Sequence, residues 1–123
     1  MTWLGKGENR TDEFKKINPM MQVPAIKDGD FCMSESHAIL RYLHSTWKCA
    51  DHWYPSDFKK WAKVEQYLDW HHTYLRYGCA GLVFKTHFGP KFFGIEFSKN
   101  EVDESAKAFE KSMELLDTTL SKQ

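Results

Sequence analysis

The stretch Asn18-Pro19-Met20-Met21-Gln22-Val23-Pro24-Ala25-Ile26 decides the fold of the first part of this 123-residue chain. Its apolar end, from Val23 to Ile26, is rich in β-branched residues and predicts a short buried strand. Pro24 has no N–H to donate to a neighbouring strand, so the strand should lack a partner on that side. The pair Asp28-Gly29 then accepts the positive φ angles of a tight turn, which predicts a β-hairpin.

A helix is predicted to begin at Ser34, directly after the hairpin. Serine is a favourable N-cap, and Glu35 complements the positive end of the helix dipole. Leu40, Leu43 and Trp47 then recur at helical spacing. Free N–H groups at a helix N-terminus can hold an anion, so Ser34 and Glu35 have two interpretations: capping residues alone, or part of a binding site.

Most of the remaining chain is predicted to be helical. A short helix capped by Thr11 ends at Asn18-Pro19, and the segment from Cys49 to Pro55 has no periodicity and is predicted to be a linker. A long helix is predicted to begin near Ser56. Its apolar face comprises Phe58, Trp61, Val64, Leu68, His71, Leu75, Cys79 and Leu82.

Three features organise the C-terminal third of the sequence. Gly78 and Gly81 favour a bend or close helix packing. The stretch from Phe88 to Phe97 breaks the helical pattern and is predicted to be a loop or short irregular segment. The segment Ser98-Lys99-Asn100-Glu101 is a capping-box pattern, which predicts the start of a final helix.

The amino-acid composition limits which classes of function are consistent with this sequence. Hydrophobic residues make up 41% and aromatic residues 15% of the chain, which is typical of a folded core and not of disorder. The net charge is zero, so there is no basic surplus for binding nucleic acid. We find no secretory signal, transmembrane run or lipidation motif, and we expect a cytoplasmic protein that does not bind membranes.

The cysteine and histidine residues argue against disulfide bonds and against a metal site. The three cysteines, Cys32, Cys49 and Cys79, are odd in number without paired spacing, and are predicted to be free thiols of a reducing compartment. Among the six histidines, His71 and His72 are adjacent and not one helical turn apart. We therefore predict that the chain holds no metal.

Two sets of motifs resemble a known family. The Val23-Pro24 segment followed by Glu35-Ser36 resembles the glutathione-binding half of a glutathione transferase. The segments Asp51-His52-Trp53-Tyr54-Pro55 and Leu68-Asp69-Trp70-His71-His72-Thr73-Tyr74-Leu75-Arg76 resemble the theta class, especially plant-type members. The resemblance runs from about Gly5 to the C-terminus.

The resemblance implies an α+β fold, with a partial thioredoxin-like, glutathione-binding domain in residues 1–48 and a partial all-helical domain in residues 49–123. In the family, a strand, a helix and a second strand precede the segment that opens this chain, and further helices follow it. A two-stranded hairpin alone is marginal in water, so we expect the isolated chain to be poorly stable or self-associating.

The resemblance also implies a set of glutathione-binding residues: Asn9, Gln22, Val23, Pro24, Glu35, Ser36, Thr73 and Arg76. Asn9 occupies a position where many family members have histidine. A cis Val23–Pro24 bond, which the resemblance favours, would turn the Val23 backbone outward to pair with the cysteinyl part of glutathione. Glu35 and Ser36 would hold the γ-glutamyl end, and Arg76 is the candidate catalytic residue because its fixed charge favours thiolate.

The function implied by the resemblance is attack of the glutathione thiolate on a small electrophile, or reduction of a peroxide, by a homodimeric cytoplasmic enzyme with glutathione as co-substrate. In the theta class an N-terminal serine hydroxyl stabilises the thiolate, and neither Ser34 nor Ser36 matches it. The alternative is a non-catalytic module of the same fold that binds protein partners. A glutathione transferase present as a fragment or short isoform is the first hypothesis, and this module is the second.

Overall fold

The computed structural model describes residues 1–47 and 49–122. Its contacts divide the chain into two compact units, one of Met1–Trp61 and one that begins at Ala62. The domain boundary that the sequence predicts after residue 48 involves Lys48, which lies outside the described residues, and it stays a prediction.

The first unit combines a hairpin with helices. Its elements in chain order are two short 3-10 turns (Leu4–Lys6 and Glu8–Arg10), helix α1 (Asp12–Ile17), strands β1 (Ala25–Asp28) and β2 (Phe31–Ser34), helix α2 (Ser36–Trp47) and a 3-10 turn (Asp51–Trp53). The Thr11 hydroxyl accepts a 3.2 Å hydrogen bond from the Phe14 N–H, which confirms the predicted cap of α1.

The predicted hairpin is confirmed. Strands β1 and β2 are antiparallel, and Asp28 pairs with Phe31, so Gly29 and Asp30 form the turn one residue later than the Asp28-Gly29 pair suggested. Gly29 has a φ of 58°, which glycine adopts without strain. The Tyr42 hydroxyl of α2 donates a 2.6 Å hydrogen bond to the Asp28 carboxylate. This bond raises the pKa of Tyr42 and ties the turn to α2.

The predicted helix start at Ser34 is wrong. Ser34 is the last residue of β2 and pairs with Ala25, and α2 begins at Ser36. Glu35 lies between them with a φ of 73°, and its carbonyl accepts a 2.9 Å hydrogen bond from the Ile39 N–H. Pairing with β1 keeps Ser34 extended, so the turn from strand to helix falls on Glu35.

The core of the first unit is small. Among the described residues, the buried apolar side chains are Phe14 of α1, Ile39 of α2 and Tyr54. Helices α1 and α2 both contact β1, which places the hairpin against this core. The core therefore fixes the segment between α1 and β1, because both of its ends belong to packed elements.

The second unit is helical. It begins within helix α3 (Phe58–Trp70), which continues into a π-helical turn (His71–Leu75), helix α4 (Arg76–Val83) and a π-helical segment (Phe84–Phe93). Residues 94–98 are not helical, and helix α5 (Lys99–Leu120) follows them. The predicted irregular segment from Phe88 is thus wrong as far as Phe93, and the helical path ends at Gly94, whose φ is 64°. Pro90 would clash with a carbonyl in an α-helical turn, and the wider π turns accommodate its ring.

Helices α4 and α5 pack closely through small residues, as Gly78 and Gly81 predicted. An added Cβ at Gly78 would lie 2.8 Å from the Phe109 backbone nitrogen. Ser105 and Ser112 are the buried residues of α5. The predicted capping box at the start of α5 is confirmed, because Ser98 and Glu101 each bond to the other's backbone. In the part of the chain described, no helix is both long and apolar enough to cross a membrane.

Candidate functional site

Asn18 holds the segment between α1 and β1 in place. It is only 3% exposed, and its own N–H donates to the Phe14 carbonyl at the end of α1. Its side-chain amide donates to the Gln22 carbonyl at 2.8 Å, and its side-chain oxygen accepts from the Met20 N–H at 3.1 Å. The Met21 N–H donates to the Asn18 carbonyl at 2.9 Å. These bonds fix the backbone of residues 20–22 as they approach β1.

Asn9 supports the same segment from a second side. Its amide donates a 2.9 Å hydrogen bond to the Met21 carbonyl. Met21 has a φ of 55°, which is unfavourable for a residue other than glycine and requires support from its surroundings. The contact of Asn9 with glutathione stays a prediction, and the role visible in the structure is to hold this backbone.

Residues Gln22, Val23 and Pro24 form an exposed edge that leads into β1. The Val23–Pro24 peptide bond is cis. Strand pairing begins one residue later, where Ala25 lies opposite Ser34. Continuing this register one step outward sets Pro24 opposite Glu35, so the edge lies beside the start of α2.

Glu35 and Ser36 complete this end of the hairpin. The Glu35 side chain is exposed, and Ser36 is the partly exposed first residue of α2. The first N–H groups of a helix have no intrahelical partner and attract a negative group. A carboxylate of Glu35 beside such N–H groups can hold an ammonium and a carboxylate that lie close together on one ligand.

The first unit therefore brings together six of the eight residues predicted to bind glutathione: Asn9, Gln22, Val23, Pro24, Glu35 and Ser36. The other two lie in the second unit, both exposed. The Thr73 hydroxyl donates to the Asp69 carbonyl at 3.0 Å, and Arg76 is the first residue of α4. The roles of Thr73 and Arg76 stay predictions.

Sequence reasoning missed Asn18. It treated the Asn18-Pro19 pair as the end of a helix and not as a structural element of the site. The signal available was an asparagine, which bonds readily to nearby backbone groups, directly before the segment that carries Val23 and Pro24. Its burial could not be read from the sequence, because it depends on how α1 packs against β1.

Both the sequence and the fold of this chain are similar to those of known proteins. The family described as "Glutathione S-transferase, N-terminal domain" matches residues 3–45. The chain is 46% identical to glutathione S-transferase T1 of Arabidopsis thaliana over 116 residues, which are 94% of this chain and 47% of that protein.

Two solved human structures share the fold. Glutathione transferase theta-2 in complex with glutathione has a TM-score of 0.83 and 35% identity, over 92% of this chain and 46% of that one. A human theta-class enzyme in complex with the glutathione conjugate of 1-menaphthyl sulfate has a TM-score of 0.87 and 34% identity, over 96% and 48% respectively. The chain thus spans about half the length of these relatives, and the predicted α+β class, with a thioredoxin-like hairpin part followed by helices, is confirmed.

Proposed function

We propose that this chain, whose residues 3–45 match the N-terminal domain of the glutathione S-transferases and whose sequence is similar to their theta class, is a member of that class and binds glutathione through its first unit. The full reaction proposed for the protein is transfer of the glutathione thiolate to a small electrophile. The observation that supports this most directly is the exposed Gln22–Pro24 edge, which by strand register lies beside the N-terminus of α2.

The γ-glutamyl end of glutathione fits the start of α2 chemically. It carries a carboxylate and an ammonium on one carbon atom. The Ser36 N–H and hydroxyl would receive the carboxylate, where the helix dipole favours negative charge. The exposed Glu35 carboxylate would pair with the ammonium in a charge-assisted hydrogen bond.

The cysteinyl part would then lie along the Gln22–Pro24 edge. Val23 lies outside the β1–β2 pairing, so its backbone N–H and C=O would form strand-like hydrogen bonds with the bound peptide. Hydrogen bonds from the side-chain amides of Asn9 and Asn18 to backbone carbonyls already hold this segment in place without glutathione. Such preorganisation reduces the ordering cost of binding.

Catalysis requires the thiolate, whereas a free thiol titrates near a pKa of about 8.5 and is mostly protonated at neutral pH. We assign Arg76 the role of favouring the thiolate or an anionic leaving group. No residue of this chain matches the theta-class serine that donates a hydrogen bond to the sulfur. For this chain alone we therefore propose that it binds glutathione. We propose conjugation only for a protein in which a hydrogen-bond donor to the sulfur is also present.

The electrophile would be a small molecule with a good leaving group, or a peroxide. With 1-menaphthyl sulfate, the sulfur would form a bond to the benzylic carbon while the carbon–oxygen bond to sulfate breaks. With a peroxide, two glutathione molecules would be oxidised to the disulfide while the peroxide is reduced to an alcohol and water. Both reactions use the same bound thiolate.

Titration calorimetry of the chain with glutathione tests the proposal. We expect Glu35→Gln to weaken binding about tenfold, because a charge-assisted hydrogen bond contributes about 1.5 kcal/mol or more. An analogue of glutathione without the amino group should bind the wild type and Glu35→Gln equally. Glu13→Gln, which alters an exposed carboxylate on α1, is the matched control and should leave affinity unchanged.

Equal affinity of Glu35→Gln and the wild type for glutathione would contradict this assignment. Tight binding of glutathione with no turnover of 1-menaphthyl sulfate by the full-length protein would instead favour the non-catalytic module that binds protein partners.

We also propose a cytoplasmic location and, for the full-length protein, a homodimer. All three cysteines are free, which suits a reducing compartment. Size-exclusion chromatography with light scattering measures the mass of the full-length protein in solution. A homodimer should have twice the mass of one chain.

A further inference from the structure

Helix α2 begins at one end of the hairpin and runs back along it towards the turn. The hairpin end at which Ala25 pairs with Ser34 leads directly into α2, and the turn lies at the opposite end of the strands. Six residues of helix rise about 9 Å, close to the three residue steps of β1, which span about 10 Å. Tyr42, six residues after Ser36, therefore lies beside the turn.

Tyr42 makes two contacts with the turn of the hairpin. Its hydroxyl donates a 2.6 Å hydrogen bond to the Asp28 carboxylate, and the charge of the acceptor strengthens such a bond. The centroids of the Tyr42 and Phe31 rings are 5.1 Å apart, with an angle of 37° between the ring planes. Asp28 and Phe31 are the pair that closes the turn, so Tyr42 joins both strands to α2 at one point.

The connection between β2 and α2 is a hinge of one residue. Ser34 is the last residue of β2 and Ser36 is the first of α2, so Glu35 sets the direction in which the helix leaves the strand. Glu35 has a φ of 73°, a conformation that a residue other than glycine keeps only where its surroundings enforce it. Ile39 is buried close to this hinge, but apolar contacts are non-directional and oppose separation more than rotation. The directional contacts of Tyr42, further along α2, fix the angle of the helix.

The angle of α2 determines the geometry of the γ-glutamyl half of the proposed glutathione site. A rotation of α2 changes the direction of the Ser36 N–H, and hydrogen bonds weaken as they lose linearity. The same rotation turns the Glu35 side chain, because Glu35 is itself the hinge. The Asn9 and Asn18 hydrogen bonds hold the Gln22–Pro24 half of the site and do not restrain this angle.

We propose that Tyr42 is a positioning residue for glutathione binding, which acts through Glu35 and Ser36 by anchoring α2 to the hairpin turn. The proposal rests on the proposed function, since it concerns the same site. Without the Tyr42 hydroxyl, α2 samples angles at which Glu35 and Ser36 do not engage the γ-glutamyl group together. The apparent dissociation constant then rises by the inverse of the competent fraction, so a fraction of about one third raises it about threefold.

Calorimetric titration of the chain with glutathione tests the proposal. Tyr42→Phe removes only the hydroxyl and keeps the ring beside Phe31, and we expect about threefold weaker binding. Asp28→Ala should show the same loss, and Asp28→Asn, which keeps an acceptor oxygen, should restore most of the affinity. Asp30→Ala, which removes the other exposed carboxylate of the turn, is the matched control and should bind as the wild type does.

A double-mutant cycle separates positioning from a general structural loss. If Tyr42 acts through Glu35, the combined loss in Tyr42→Phe with Glu35→Gln should be smaller than the product of the two single losses. Wild-type affinity of Tyr42→Phe, the same loss in Asp30→Ala, or a combined loss equal to that product would overturn the proposal.

Hydrogen exchange of the Ile39 amide provides a readout that does not depend on glutathione. This N–H donates to the Glu35 carbonyl at 2.9 Å, so it reports on the hinge, and Tyr42→Phe should exchange it about threefold faster than Asp30→Ala or the wild type. If the wild type does not bind glutathione, the proposed function is contradicted. Faster exchange in Tyr42→Phe would then still support the anchoring of α2, and unchanged exchange would overturn it.

Discussion

Replacement of Gly78 by alanine should separate helices α4 and α5. A Cβ built on Gly78 lies 2.8 Å from the Phe109 nitrogen and 2.9 Å from the carbonyl carbon and oxygen of Ala108. All of these are backbone atoms of α5, so no side chain can rotate to make room. The two helices must move apart or bend.

The magnitude follows from two opposing terms. Overpacking a close contact costs about 1–3 kcal/mol, and a clash with backbone belongs near the upper end. Alanine gains about 1 kcal/mol over glycine in helix propensity. We therefore expect Gly78→Ala to lower the free energy of unfolding by about 2 kcal/mol.

Gly81 provides a matched comparison on the same helix. A Cβ there would lie 3.5 Å from the Ser105 Oγ, which is an ordinary contact. Gly81→Ala should keep most of the propensity gain and raise the free energy of unfolding by about 0.5–1 kcal/mol. Urea unfolding of both variants, followed by circular dichroism at 222 nm, measures the two changes.

Opposite signs for the two variants are the expected outcome. If Gly78→Ala is as stable as the wild type, or if both variants lose the same stability, the close approach of α4 and α5 at Gly78 is refuted. The substitution is the same in both cases, so intrinsic propensity cannot produce the difference.

Two further predictions concern Asn18 and Glu101. Asn18→Ala removes the side-chain hydrogen bonds to Met20 and Gln22 and should weaken glutathione binding several-fold in calorimetry. The control Asn100→Ala, at an exposed position of α5, should leave the affinity unchanged. Equal affinity of the two variants would contradict the role of these hydrogen bonds in holding the site. The side-chain hydrogen bond with Ser98 lowers the pKa of Glu101 from 4.5, so its contribution to stability is present above about pH 4.5 and is lost as pH falls through the lowered value. Glu101→Gln should therefore make the stability measured by thermal unfolding fall less steeply with decreasing pH on the acid side. The same slope in this variant and the wild type would contradict the contribution of the Glu101 carboxylate to the pH dependence.

The sequence alone determined the elements whose signals are local. The Asp28-Gly29 pair predicted the hairpin, Thr11 predicted the start of α1, and the Ser98–Glu101 pattern predicted the capping box of α5. In each case the deciding interaction joins residues within a few positions, so neighbouring residue types suffice to specify it. The candidate glutathione residues required more, because their roles came from family resemblance and not from spacing.

The tertiary structure decided the features that depend on distant contacts. Pairing of Ser34 with Ala25 moved the start of α2 to Ser36 and left Glu35 at a positive φ. Burial of Asn18 accompanies the packing of α1 against β1. None of these has a local sequence pattern, because burial and strand register are set by which elements meet in space.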